Sequence, residues 1–574
     1  MTQSKPVLTG ILFILLTACG LTPEAERVES GSNDETAASY TEEQWSDEVL
    51  FHLRAAQQAG GGDEHREAIR RLLDVALEQQ DLDLVRQAAG MAWRTRHWPG
   101  LIEATDVWLE QKPTSSDARR LGILARLNAG RAEQAVEAMR RWLAQAPGDA
   151  DRLLQRDLVQ ILAATEAPEQ APQYLDAVIE AAGLDAGGVA AVSARSRLFW
   201  EIGEPQQALK LARTAAELSE AREPLAWAAQ LASAVEDHEL ALALYRRARA
   251  VAPQAWTLAL AEAQALRNLD RLDDALEVLS ELPDNPDVLY SRASYRFEAG
   301  QRGAAEDAWQ QLASWAPVED DNQHAFMVAW LAEFLELDEQ AAAWYARVRS
   351  GPQADRAMIR RAALLAADDR LAEARELLRL ARDTEHDDQR ERAYLVEAEL
   401  LSEHGQQDQA LNLLSEALRE APNSIGLLYG RAMTAVATDQ LELAEQDLRR
   451  IIRIDGENAM ALNALGYTLT DRTSRHNEAY RLIRRALELA PDEPAILDSM
   501  GWVYFRLGRP ESALPYLQRA LAGDDNPEIA AHLAEVLWHL DQPERAGEVL
   551  REAILRHPGN DDLADVISRL DITL

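Results

Sequence analysis

One spacing constrains this chain more than any other property. Between Asn458 and Leu521 a pattern is stated twice: Leu465-Gly466 and Met500-Gly501 stand 35 residues apart, and Ala479 and Ala513 follow them. Each alanine has a large apolar residue four positions on, Ile483 or Leu517. Four positions is one helical turn, so the small and the large side chain share a face. The anchor position recurs along the chain as Ala68, Leu101, Ala135, Ala171, Ala208, Ala241, Ala275, Ala305, Ala341, Ala374, Ala410, Ala444, Ala479, Ala513 and Ala546, alanine everywhere but at Leu101, at steps averaging about 34 residues. Alanine is common here, so proline supplies the independent check. Twelve residues after the anchor stand Pro113, Pro147, Pro253, Pro317, Pro422, Pro491 and Pro558, with Gly456 in that place after Ala444.

Each period reads as two short helices. The first carries an apolar stripe such as Leu497, Met500, Gly501 and Tyr504, and ends at a turn marked by Gly or Asp, as at Gly130, Gly203, Gly300, Gly405 and Gly508. The second carries the anchor and stops at the proline. A small residue, a bulky one a turn later and a closing proline at this period resemble the tetratricopeptide repeat (TPR). A lone helix pair cannot bury both its faces, so neighbours stack and the core runs on as a strip. The expected fold is all-α: a TPR superhelical solenoid of roughly 14–15 helix-turn-helix units. The pattern is clearest over 391–558 and weakest at 150–190 and 351–390, where Arg382–Arg392 reads as a charged linker.

Composition agrees. A chain of 574 residues is too long for one globular core. Ala, Leu, Glu and Arg dominate, and no alternating β-branched run suggests a sheet. The formal charge of -38 excludes duplex nucleic acid as an expected partner, because phosphate binding needs a basic footprint.

The single cysteine, Cys19, follows Lys5 and an apolar run from Val7 to Leu16. That run has the length of a secretory signal core and is too short for a transmembrane helix. Leu16-Thr17-Ala18-Cys19 resembles the bacterial lipobox, which implies cleavage before Cys19, its lipidation and, with Gly20 next, sorting to the outer membrane on its periplasmic face. The expected organisation is a signal peptide over 1–18 and a lipidated cysteine with an acidic tether over 19–45, packing starting near Trp45. A degenerate helical region over 46–114, with Gly60-Gly61-Gly62 in its turn, leads to a divergent array over 115–390. A well-matched array over 391–558 and a capping helix with tail over 559–574 complete the chain.

No HExxH, GxSxG, P-loop or dinucleotide fingerprint is present, and one cysteine excludes thiolate zinc sites and disulfides. His238, beside Asp237 and Glu239, reads as a solvated turn residue rather than a metal ligand. No catalytic residue, metal site or cofactor is expected. The candidate site is a peptide-binding face on the first helices of the strong repeats, expected to be concave. It comprises Asn463, Tyr467, Asp498, Trp502, Phe505, Arg506, Glu535, Trp538 and His539, a mix of aromatic, Arg and acidic groups suited to an extended or helical segment. Trp502 and Trp538 have a second reading, as packing between helices.

With the lipobox, the acidic tether and the closing segment ALGYTLTDR…AYRLIRRALELAPDEPAILDSMGWVYFRLG, the chain resembles a family of proteobacterial TPR lipoproteins that includes the adaptor of the carboxyl-terminal processing protease CtpA. That resemblance implies a non-enzymatic partner of a periplasmic protease, presenting substrates such as peptidoglycan cross-link hydrolases. The alternative is a TPR scaffold for outer-membrane biogenesis, pilus assembly or peptidoglycan synthesis.

Overall fold

The computed structural model describes residues 63–570 apart from 80, 147, 316–320, 352 and 385. Cys19, Trp45, Gly60–Gly62, Pro147, Pro317 and the side chain of Ala68 lie outside the described residues. Two compact units meet in sequence between Asp270 and Arg271.

In the first unit come α1 (Asp63–Gln79), α2 (Leu82–Arg94), α3 (Trp98–Gln111), α4 (Ser116–Asn128) and α5 (Ala132–Gln145). Next, α6 joins Ala150–Arg152, a π-helical turn Leu153–Leu158 and Val159–Ala163. The unit continues with α7 (Ala171–Ala181), α8 (Val189–Glu201), α9 (Pro205–Leu218), α10 (Arg222–Ala234), α11 (His238–Val251) and α12 (Trp256–Asn268).

The second unit begins with α13 (Leu272–Ser280), α14 (Pro286–Glu298), α15 (Arg302–Ser314), α16 (Asn322–Phe334), α17 (Asp338–Tyr345) and α18 (Ala354–Ala367). It continues with α19 (Leu371–Ala381), α20 (Asp387–Glu403), α21 (Gln407–Glu420), α22 (Ile425–Ala437), α23 (Leu441–Ile454) and α24 (Ala459–Arg472). It closes with α25 (His476–Leu489), α26 (Pro494–Arg506), α27 (Pro510–Gly523), α28 (Pro527–His539), α29 (Pro543–Arg556) and α30 (Asp561–Leu570).

Even-numbered helices are the first members of the pairs, and odd-numbered helices carry the anchors. Leu101 and every alanine of the ladder from Ala135 to Ala546 have 0% exposure. The residues a turn later, among them Met139, Tyr245, Trp309, Tyr345, Leu448 and Leu550, are buried as well. The anchor is small because the partner helix passes over it. A Cβ on Gly501 would stand 2.5 Å from Leu517 Cγ and 3.3 Å from the Ala513 carbonyl oxygen, and one on Gly466 would stand 2.5 Å from Ile483 Cγ1. Stacking then makes the core continuous. A single apolar cluster reaches from Tyr394 on α20 to Val503 on α26. From α20 to α26 successive pairs therefore share one core.

Polar residues set the helix starts. Side chains of Ser115, Asn285, Asp321, Ser424 and Asn458 accept backbone N–H bonds at the starts of α4, α14, α16, α22 and α24. Most intra-pair turns place one residue at positive φ, the exceptions being the α6–α7 and α24–α25 turns. Gly130, Gly203, Gly300, Gly405 and Gly508 supply it as expected, as do Asp270, Asp369, Asp439 and Asp541, whereas Arg96, Glu236 and Glu336 depart from that expectation.

Two expectations are corrected. The Arg382–Arg392 stretch is not all linker: α20 begins at Asp387, with Asp387 and Asp388 favourably placed in its first turn. Arg390 folds back to donate to the Arg382 and Thr384 carbonyls. His238 is not a solvated turn residue either. It opens α11, capped by Asp237, and its Nδ1 is buried without a hydrogen-bond partner.

Candidate interaction site

Successive even helices bring most of the sequence-selected residues together at the end of the second unit. Asp498 and Trp502 are one turn apart on α26, and α28 presents His532 to both. His532 Nδ1 lies 2.9 and 3.1 Å from the two Asp498 carboxylate oxygens. Its ring stacks on Trp502 at 4.0 Å and 16°. Trp502 stacks in turn on Phe505 at 5.2 Å, and Phe505 meets His539 edge-on at 4.9 Å. Arg506 lies over the Trp502 ring at 5.8 Å and reaches Asp471 at 3.8 Å. From α24, Tyr467 reaches past α26 and donates its hydroxyl to Glu528 on α28. Arg569 of α30 donates to both oxygens of Glu535, at 2.6 and 2.9 Å.

Burial sorts these groups. Asp498, Trp502, His532 and Glu535 are all less than a tenth exposed. Trp502 therefore packs between helices. Phe505 and Arg506 are half-buried and His539 is exposed, so they form the accessible part. Trp538 stands apart, packed against the apolar cluster that seats Leu563 and Val566 of α30. Asn463 is half-buried, with its Oδ1 buried and unpartnered, and the Trp502 indole Nε1 is likewise buried without a partner.

Electrostatics follow from this packing. Burial disfavours the His532 imidazolium, but Asp498, with Glu528 and Glu535 beyond it, outweighs that and raises its pKa. Burial and the Glu528 carboxylate together raise the Tyr467 phenol well above its ordinary value. His532, Glu528 and Arg569 are the residues the sequence reading missed. The available signal was the repeat register, which sets His532 34 residues after Asp498.

Among the described residues, no three His, Cys, Asp or Glu side chains gather as metal ligands, and no helix is long and apolar enough to cross a membrane.

Stacked two-helix units with sealed small-residue anchors define a tetratricopeptide-repeat solenoid, a scaffold for protein–protein interaction. Residues 228–287, 457–526 and 504–570 each match the tetratricopeptide repeat family. The chain is 43% identical to TPR repeat-containing protein PA4667 of Pseudomonas aeruginosa over 210 residues, 37% of this chain and 35% of that protein. It is 27% identical to type IV pilus assembly protein PilF of the same organism over 139 residues, 24% of this chain and 55% of that one. The chain thus matches about a third and about half of the length of these two relatives. Among solved structures, a thermophilic TPR protein of Thermus thermophilus matches 32% of this chain and all of its own, at 23% identity and a TM-score of 0.30.

Proposed function

We propose that this chain is an outer-membrane-anchored adaptor, lipidated at Cys19, that binds a periplasmic carboxyl-terminal processing protease and presents substrates to it, peptidoglycan cross-link hydrolases among them. The observation that carries the reading is the Leu16-Thr17-Ala18-Cys19 lipobox ahead of a long repeat array. The chain supplies no chemistry in this role. Holding enzyme and substrate on one tethered scaffold raises their effective concentration. Phe505, Arg506 and His539 offer side-chain contacts to a bound segment.

Likeness to PilF favours a second reading, in which the array serves pilus assembly. Affinity capture from detergent-solubilised envelope separates the two. Recovery of a processing protease with wall hydrolases supports the adaptor, and recovery of pilus subunits in their place overturns it. Fractionation of Cys19→Ala tests the anchor: the variant is expected to leave the membrane fraction, and its retention there refutes lipidation at Cys19.

A further inference from the structure

A cavity of about 590 Å³ opens between the α8–α9 turn and the α10–α11 turn, lined by Trp200, Pro205, Gln206, Ala234, Val235 and Glu236. Trp200 is 37% exposed there. Glu236 adopts φ 63°, a conformation that costs a side chain with a Cβ and that Gly203 fills one repeat earlier.

Three intra-pair turns place a long side chain in this left-handed position, and two have a reason on view. Arg96 pairs with Glu166 at 3.4 Å, and Glu336 pairs with Arg302 at 2.9 Å. Glu236 has no such partner among the described residues.

The α14–α17 repeats show what fills the equivalent place. Counted from the helix ends, Phe297 corresponds to Trp200, Arg302 to Pro205, Phe334 to Ala234, Leu335 to Val235 and Glu336 to Glu236. Arg302 lies over the Phe297 ring at 5.8 Å, bonds the Glu336 carboxylate and donates to the Leu335 carbonyl at 3.3 Å. Phe334 packs edge-on against Phe297 at 5.4 Å. In the α8–α11 repeats the aromatic ring and the carboxylate are kept, but the arginine is replaced by proline and the second ring by alanine. The cavity lies where those two side chains would be.

We propose that this cavity binds the guanidinium of an arginine supplied by a partner protein, stacked on Trp200 and paired with Glu236, as Arg302 is held within the chain. A planar guanidinium suits a ring face and a carboxylate together, which an ammonium serves less well. The surroundings favour a cation: Glu201, Glu204, Asp237 and Glu239 flank the cavity and are exposed, and the two turns, 200–206 and 234–239, carry no lysine or arginine. This site does not depend on which partner the array serves.

The test uses the full chain labelled with 5-fluorotryptophan, with the Trp200 resonance assigned through Trp200→Phe, and L-argininamide as probe. A saturable shift of that resonance is expected with argininamide, and a response at least fivefold weaker with L-citrullinamide, its isostere with a neutral side chain. Glu236→Gly removes the carboxylate while relieving the backbone, so affinity drops at least fivefold with no fall in Tm. Pro205→Arg restores the internal arginine, moving the resonance without ligand and abolishing the titration. The proposal is overturned if the wild type shows no saturable shift, if citrullinamide matches argininamide, or if either variant titrates as the wild type.

Discussion

His532 and Asp498, 34 residues apart, face one another across adjacent repeats with 2.9 Å between imidazole Nδ1 and carboxylate Oδ1, both nearly sealed from water. This contact couples the last repeats to pH. The folded pKa of His532 is raised above its unfolded value of about 6.5. The stability it contributes is therefore fully present below about pH 6.5 and is lost as pH rises through the folded pKa. Chemical denaturation of wild type and His532→Gln should show the largest cost of substitution on the acid side of neutrality, shrinking towards alkaline pH. A difference that grows with pH would contradict the assignment.

Gly501 has no room for a methyl group, since the Ala513 carbonyl and Leu517 stand against it. Gly501→Ala should cost about 1–3 kcal/mol in urea denaturation, as overpacking does in well-filled cores. Gly303, where an added Cβ meets nothing within 4 Å, is the control and should tolerate the same change.

Asp447 is 1% exposed and receives two bonds from Arg431, at 2.7 and 2.8 Å. Truncating Arg431 to Ala strands a buried carboxylate, and a loss of about 3–5 kcal/mol is expected. Replacing both residues by apolar ones of similar volume should recover much of it. A double-mutant cycle measures the coupling.

Leu563 and Val566 seat α30 on the apolar end of the array, each 1% exposed. Leu563→Ala should cost about 2–5 kcal/mol locally. Hydrogen exchange should rise first in α28 and α30, and leave α22 and α23 unchanged.

The fold was legible because the anchor is a steric requirement. Where two helices cross closely a small residue fits best, and the chain records that crossing at Ala135 as at Ala546, with Leu101 the exception. Turns were half legible: Gly130 and Gly508 announce positive φ, but Glu236 and Arg96 reach the same conformation without a glycine to mark it. The Arg382–Arg392 stretch was misread because its charges favour a helix start as readily as a linker. At the candidate site, the register selected Asp498, Trp502 and Glu535, yet their burial depends on side chains from neighbouring repeats. His532, Glu528 and Arg569 show no local signal. Each matters only through a contact made across the stack.

The sealed anchors also govern how such a chain answers force. Each closes one hairpin against its own neighbours and holds nothing farther along. Pulled from its ends, the array should yield as a train of small steps, one hairpin at a time, and shorten again in the same increments: a compliant cord rather than a rigid rod.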